Sequence, residues 1–77
     1  MNKQRRKELA KVIEILEQAR DLLENVRDDE QDAFDNMPES FQYSERGETM
    51  EEYISAMDEI LDALDLDELQ EIAGGFR

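Results

Sequence analysis

The sequence predicts an all-α fold: an antiparallel helical hairpin that pairs into a four-helix bundle. Three observations carry this. Apolar residues recur at helical spacing in two long segments, the single proline falls between them, and basic and acidic charge gather at opposite ends of the first segment.

The first helix is read over about 3–35. At roughly 100° per residue, Leu9, Val12, Ile13, Ile15, Leu16, Ala19, Leu22, Leu23 and Val26 fall within one half of a helical wheel. Ala33, Phe34 and Met37 return to the same sector. Pro38 ends the helix, because its ring excludes the helical conformation for the residue before it. At 1.5 Å per residue the rod is roughly 50 Å long. Its apolar stripe spans about 180°, wider than the seam of a two-stranded coiled coil. One neighbouring helix cannot cover such a stripe, whereas two can.

A connector over 36–48 leads to a second helix over about 49–64. Thr49 with Glu52 has capping-box spacing, in which hydroxyl and carboxylate satisfy orphan backbone donors reciprocally. Met50, Tyr53, Ile54, Met57, Ile60, Leu61 and Leu64 share a sector of about 120°. Leu66 and Leu69 leave that sector, and Asp65 with Glu68 repeats the capping spacing. A break and a short third helix over about 66–73 are therefore expected, with an unbroken helix to Ala73 as the competing reading. Gly74-Gly75 stops the helix and leaves a tail over 74–77. The whole chain, 1–77, reads as a single helical domain.

Charge is unevenly placed. Residues 1–11 carry Lys3, Arg5, Arg6, Lys7 and Lys11 against Glu8, while the remainder holds 21 of the 22 acidic groups, for a net −13. Basic groups at a helix N-terminus and acidic groups at a helix C-terminus each oppose the helix dipole. Antiparallel packing sets Lys3–Lys11 beside Asp62, Asp65, Asp67, Glu68 and Glu71, so that the two placements offset each other. A net charge of this sign disfavours direct nucleic-acid binding and favours a basic protein partner.

At 77 residues the chain is near the lower limit for independent folding. Small scaffolds gain stability from disulfides, metals or oligomerisation. Cysteine and histidine are both absent, which closes the disulfide route and the usual zinc chemistry. Self-association into a dimer, or docking on a larger partner, remains. The N-terminal charges have no apolar run behind them, and no stretch approaches the length of a membrane span. A cytoplasmic protein is the expectation.

No catalytic, cofactor or metal site is expected. Glu51/Glu52 and Asp58/Asp62 are paired carboxylates, but acid–base work needs a carboxyl in a pocket that shifts its pKa. Ser40, Ser44, Thr49 and Ser55 lack a histidine to activate them, and no glycine-rich phosphate loop exists. "DLDELQEIAGG" and "DDEQDAFDN" lack the glycine and the closing glutamate of a calcium loop. Di-iron bundles need Glu-x-x-His pairs.

Two candidate interaction surfaces remain. The first is acidic: Asp28, Asp29, Asp32, Asp35, Glu48, Glu51, Glu52, Glu59 and Asp62. Carboxylates on a rigid rod can stand in for a row of phosphates, which makes the chain a decoy for a DNA-binding protein. The other reading is a solvated face that keeps a small bundle soluble. The second surface is the connector, where Phe34, Met37, Phe41 and Tyr43 either plug the hairpin end or form an aromatic contact patch. Glu39, Ser40 and Phe41 can form one helical turn after Pro38, and Arg46 is expected to pair with Asp35, Glu39 or Glu45. The expected oligomer core is Leu9, Val12, Ile13, Ile15, Leu16, Leu22, Leu23, Val26, Ile54, Met57, Leu61 and Leu64.

The block "RDDEQDAFDNMPESFQYSERGETMEE" (27–52) resembles one found in short acidic helical proteins of phages and mobile elements of Gram-positive bacteria. In those, a version of "RDEEQ…NMPES…SERGE" joins two helices. The resemblance covers about residues 20–64, and the tail "GGFR" departs from it. That family has no settled function, so no residue roles transfer. The resemblance implies a phage-like or mobile-element setting, in which small acidic proteins often inhibit host factors. The expected function is thus a non-enzymatic acidic interaction protein that binds or inhibits a basic partner. A structural homo-oligomeric bundle with no external partner is the alternative.

Overall fold

A computed structural model describes residues 1–75; Phe76 and Arg77 of the expected tail lie outside the described residues. The described chain is all helical. Helix α1 spans Lys3–Asp35, α2 Glu39–Gln42, α3 Glu45–Ala63 and α4 Asp67–Ala73.

Helix α1 starts at Asn2, whose backbone is extended and whose side-chain oxygen accepts the N–H of Arg5 at 2.8 Å. It then runs 33 residues with no internal glycine or proline to interrupt it. Its end is closed by the connector. After Pro38 the single turn α2 forms as expected, and the half-buried Gln42 amide donates to the carbonyls of Phe34 (3.0 Å) and Met37 (3.2 Å). These carbonyls lie at and just beyond the helix end, where that of Phe34 also accepts the Met37 N–H at 3.1 Å. The hairpin end is therefore tied by an amide. Phe34 and Met37 are half-buried, but Phe41 is 57% and Tyr43 78% exposed, so a four-residue apolar plug does not form.

Helix α3 begins four residues earlier than the capping-box reading placed it. Ser44 is the N-cap, its hydroxyl accepting from the Gly47 N–H and donating to the Phe41 carbonyl. Thr49 instead lies inside the helix and its hydroxyl donates to the Glu45 carbonyl at 2.9 Å, a back-bond typical of helix interiors. The physical reason is Gly47. A Cβ there would meet the Gln42 carbonyl oxygen at 2.1 Å, so the missing side chain lets the first turn of α3 lie directly on the backbone of α2.

At the other end α3 stops where the third-helix reading placed a break, and the unbroken alternative is excluded. The Leu64 N–H donates to the carbonyls of Ile60 and Leu61, and the Asp65 carboxylate accepts the N–H of Asp67 at 3.0 Å. This interruption resets the helical phase. Leu66 becomes the most buried core side chain, at 4% exposure, and Leu69 and Ile72 turn inward on α4. A continuous helix would have carried Leu66 and Leu69 away from α1. Gly75, with φ +83°, takes the left-handed conformation that ends α4.

Helices α3 and α4 run antiparallel to α1 along its length. Residue numbers fall on one side as they rise on the other. Arg27 bonds Asp58, Gln70 donates to Glu17 at 2.9 Å, and Arg6 donates to the Ile72 carbonyl at 3.4 Å. The basic end of α1 thus lies beside α4, as the charge layout predicted. The molecule measures 57 × 16 × 13 Å, with a radius of gyration of 17.8 Å. A compact domain of this length would have about 11 Å. The chain is a two-layer rod rather than a bundle.

Alanine at position 47 offers a sign test. In a helix, glycine to alanine normally stabilises by up to about 1 kcal/mol. Here the added methyl group must displace backbone, so Gly47→Ala is expected to lower stability by about 1–3 kcal/mol in urea unfolding. A gain in stability would show that α3 does not rest on α2.

Candidate interaction surfaces on opposite faces of the hairpin

The packed seam follows a strict heptad spacing. On α1, Leu9, Ile13, Leu16, Arg20, Leu23, Arg27 and Phe34 are buried or half-buried. On α3 the same spacing joins Gly47, Met50, Ile54, Met57, Leu61 and the terminal Leu64. One neighbouring helix covers one such row, as in a coiled coil.

The residues one position before this seam form a second row. On α1 they are Glu8, Val12, Ile15, Ala19, Leu22, Val26, Asp29 and Ala33, all exposed; Ile15 and Leu22 reach 65%. On α3 they are Arg46, Thr49, Tyr53, Ala56, Ile60 and Ala63. Because the helices are antiparallel, a step of one residue back rotates both rows towards the same broad face. The groove at the hairpin end bears this out, since Ala33 and Glu30 line it together with Glu45, Arg46, Thr49, Met50 and Tyr53. Away from that charged end, from Val12 to Val26, the α1 row of this face is apolar.

The residues one position after the seam turn to the opposite broad face. On α1 they are Ala10, Glu14, Glu17, Asp21, Glu24, Asp28, Gln31 and Asp35; on α3 Glu48, Glu51, Ser55, Asp58, Asp62 and then Asp65. Acidic side chains hold eleven of these fourteen positions. Arg27 sits at the edge of this face. It bonds Asp58 at 2.8 Å across the helices and Asp28 at 3.4 Å on its own helix. The hydrogen bond to Asp58 raises the pKa of Arg27; desolvation opposes this, and the Asp58 charge adds to it.

The candidate residues named from sequence divide accordingly. Asp28, Asp35, Glu48, Glu51 and Asp62 share the acidic face, and Asp32, Glu52 and Glu59 occupy the outer edges. Asp29 falls in line with the apolar row. All nine are exposed. Sequence reasoning missed Glu14, Glu17, Asp21, Glu24, Asp58 and Asp65 as members of the surface. The signal was their constant offset of one residue from the apolar seam. The expected core divides too: Leu9, Ile13, Leu16, Leu23, Ile54, Met57, Leu61 and Leu64 pack within the chain, whereas Val12, Ile15, Leu22 and Val26 do not. Arg46 makes no ion pair with Asp35, Glu39 or Glu45; it lies exposed at the groove on the apolar side, whereas Arg27 pairs with Asp28 and Asp58.

Among the described residues no group of acidic side chains is arranged to hold a metal ion, and no helix is long and apolar enough to cross a membrane.

Two adjacent residues distinguish the rows. Leu16→Asp places a charge in the packed seam and is expected to abolish most of the helical circular dichroism. Ile15→Asp, one residue away on the exposed row, is expected to leave the helicity of the single chain intact. Equal loss in both variants would refute the assignment of rows.

Compared with known proteins, the chain matches no family model, no curated protein and no solved structure.

Proposed function

We propose that this chain is a non-enzymatic acidic interaction protein that binds, and thereby inhibits, a basic nucleic-acid-binding protein. The observation that carries this reading is the gathering of acidic rows from α1 and α3 on one broad face. A solubilising surface needs charge, but it has no need for that charge to be sorted to one side. A row at heptad spacing sets a carboxylate about every 5 Å along the axis. A DNA strand carries one phosphate per roughly 3.4 Å of axis. Two such rows side by side approach the charge density of a duplex without equalling it. A groove that reads sign and spacing would accept this face as a duplex surrogate.

An intracellular setting of the phage or mobile-element kind, implied by the loop block, belongs to the same proposal. The exposed apolar row favours a second reading, a structural homo-oligomer. The two are compatible, because they use opposite faces.

The test is retention of basic proteins from a bacterial lysate on the immobilised chain. The expected result is capture of a DNA-binding protein at low salt and its release by added salt or duplex. A variant with Asp21, Glu24, Asp28 and Asp35 changed to their amides is expected to lose that capture by tenfold or more. If no basic protein is held at low salt, or if the amide variant holds it equally well, the reading fails.

A further inference from the structure

We infer that the apolar face is the contact between two copies of this chain, stacked face to face and head to tail about a two-fold axis near Ala19. The inference concerns the face opposite to the acidic one and stands or falls separately from it.

The face is built for a helix. Val12, Ile15, Leu22 and Val26 keep heptad spacing on α1, yet each is about half exposed or more, and Tyr53 and Ile60 continue the surface on α3. Heptad spacing confines a row to one side of a helix over many turns, and it serves to meet another helix over that length. Ala19 lies at the middle of the α1 row, where a small side chain lets two backbones approach. The exposed α1 row from Val12 to Val26 runs for about 21 Å of helix axis.

Charge selects both the partner and its direction. Residues 28–52 at the hairpin end hold ten acidic groups and a single cation, Arg46. A side-by-side parallel pair would set two such ends against each other. Head-to-tail stacking separates them and lays the hairpin end of one copy towards Arg5 and Lys11 of the other, which flank Glu8 in the apolar row. About an axis near Ala19, Val12 of one copy faces Val26 of its partner, and Ile15 lies near the partner's Leu22. The same chain therefore supplies both the apolar row and the complementary charge. The product is a four-helix assembly that shows an acidic face on each side.

The experiment uses sedimentation and disulfide trapping on the full chain. The wild type is expected to sediment as a dimer. Leu22→Glu, at a site 65% exposed in the single chain, is expected to yield a monomer with unchanged helicity. The chain has no cysteine, so Val12→Cys and Val26→Cys can be mixed and oxidised; the crossed 12–26 disulfide is expected to exceed either self-pair. A monomeric wild type would overturn the inference and leave the face to a different protein. A dimer that persists in Leu22→Glu would move the contact elsewhere. A preponderance of 12–12 disulfides would overturn the head-to-tail direction.

Discussion

One heptad seam holds the molecule together. Helix α1 has 33 residues and touches no second layer on its far side, so its tertiary support comes from the row that α3 and α4 cover. Few side chains are deeply enclosed: Ile13, Ile54 and Leu66 form the buried core. Such a core is a line rather than a volume. Stability then depends on keeping the row continuous over the full length of α1, because hydrophobic stabilisation scales with the apolar area removed from water. The interruption at Leu64–Leu66 makes sense in these terms. It interrupts the run of helical hydrogen bonds between Leu64 and Gln70, and it brings Leu66, Leu69 and Ile72 onto the seam.

The two ends of the rod are closed by different means. At the hairpin end, the half-buried side-chain amide of Gln42 donates to two carbonyls at the end of α1. Gly47 then lets α3 start against the backbone of α2. At the open end, Arg6 reaches the Ile72 carbonyl near the C-terminus of α4, a favourable place for a cation. Between them, Arg27 and Asp58 bridge the helices at the margin of the acidic face. Removing Arg27 would leave Asp28 and Asp58 repelling each other in an already negative neighbourhood, so the pair matters more for register than for raw stability.

Segregation of apolar and acidic rows to opposite broad faces follows from a simple geometric fact. In an antiparallel pair, the same one-residue offset from the seam turns towards the same side on both helices. Sequence patterning that looks like a single broad stripe on a wheel thereby divides into a packed seam and an exposed row once a partner helix is laid down. One row is consumed by folding, and its neighbour is left exposed.

Much of the secondary structure was legible in the residues themselves. The bounds of α1, the turn after Pro38, the break near Asp65 and the antiparallel order follow from local rules of periodicity, proline sterics and charge, which act within a few residues. The start of α3 was not legible, since Thr49-x-x-Glu52 satisfies the capping pattern better than Ser44, and only contact between Gly47 and the backbone of Phe41 and Gln42 decides between them. The division of the greasy half-cylinder was also hidden. Ile15 and Leu16 are chemically alike and adjacent; which of them is dry depends on the azimuth at which α3 docks, a property of two helices together that neither segment encodes alone.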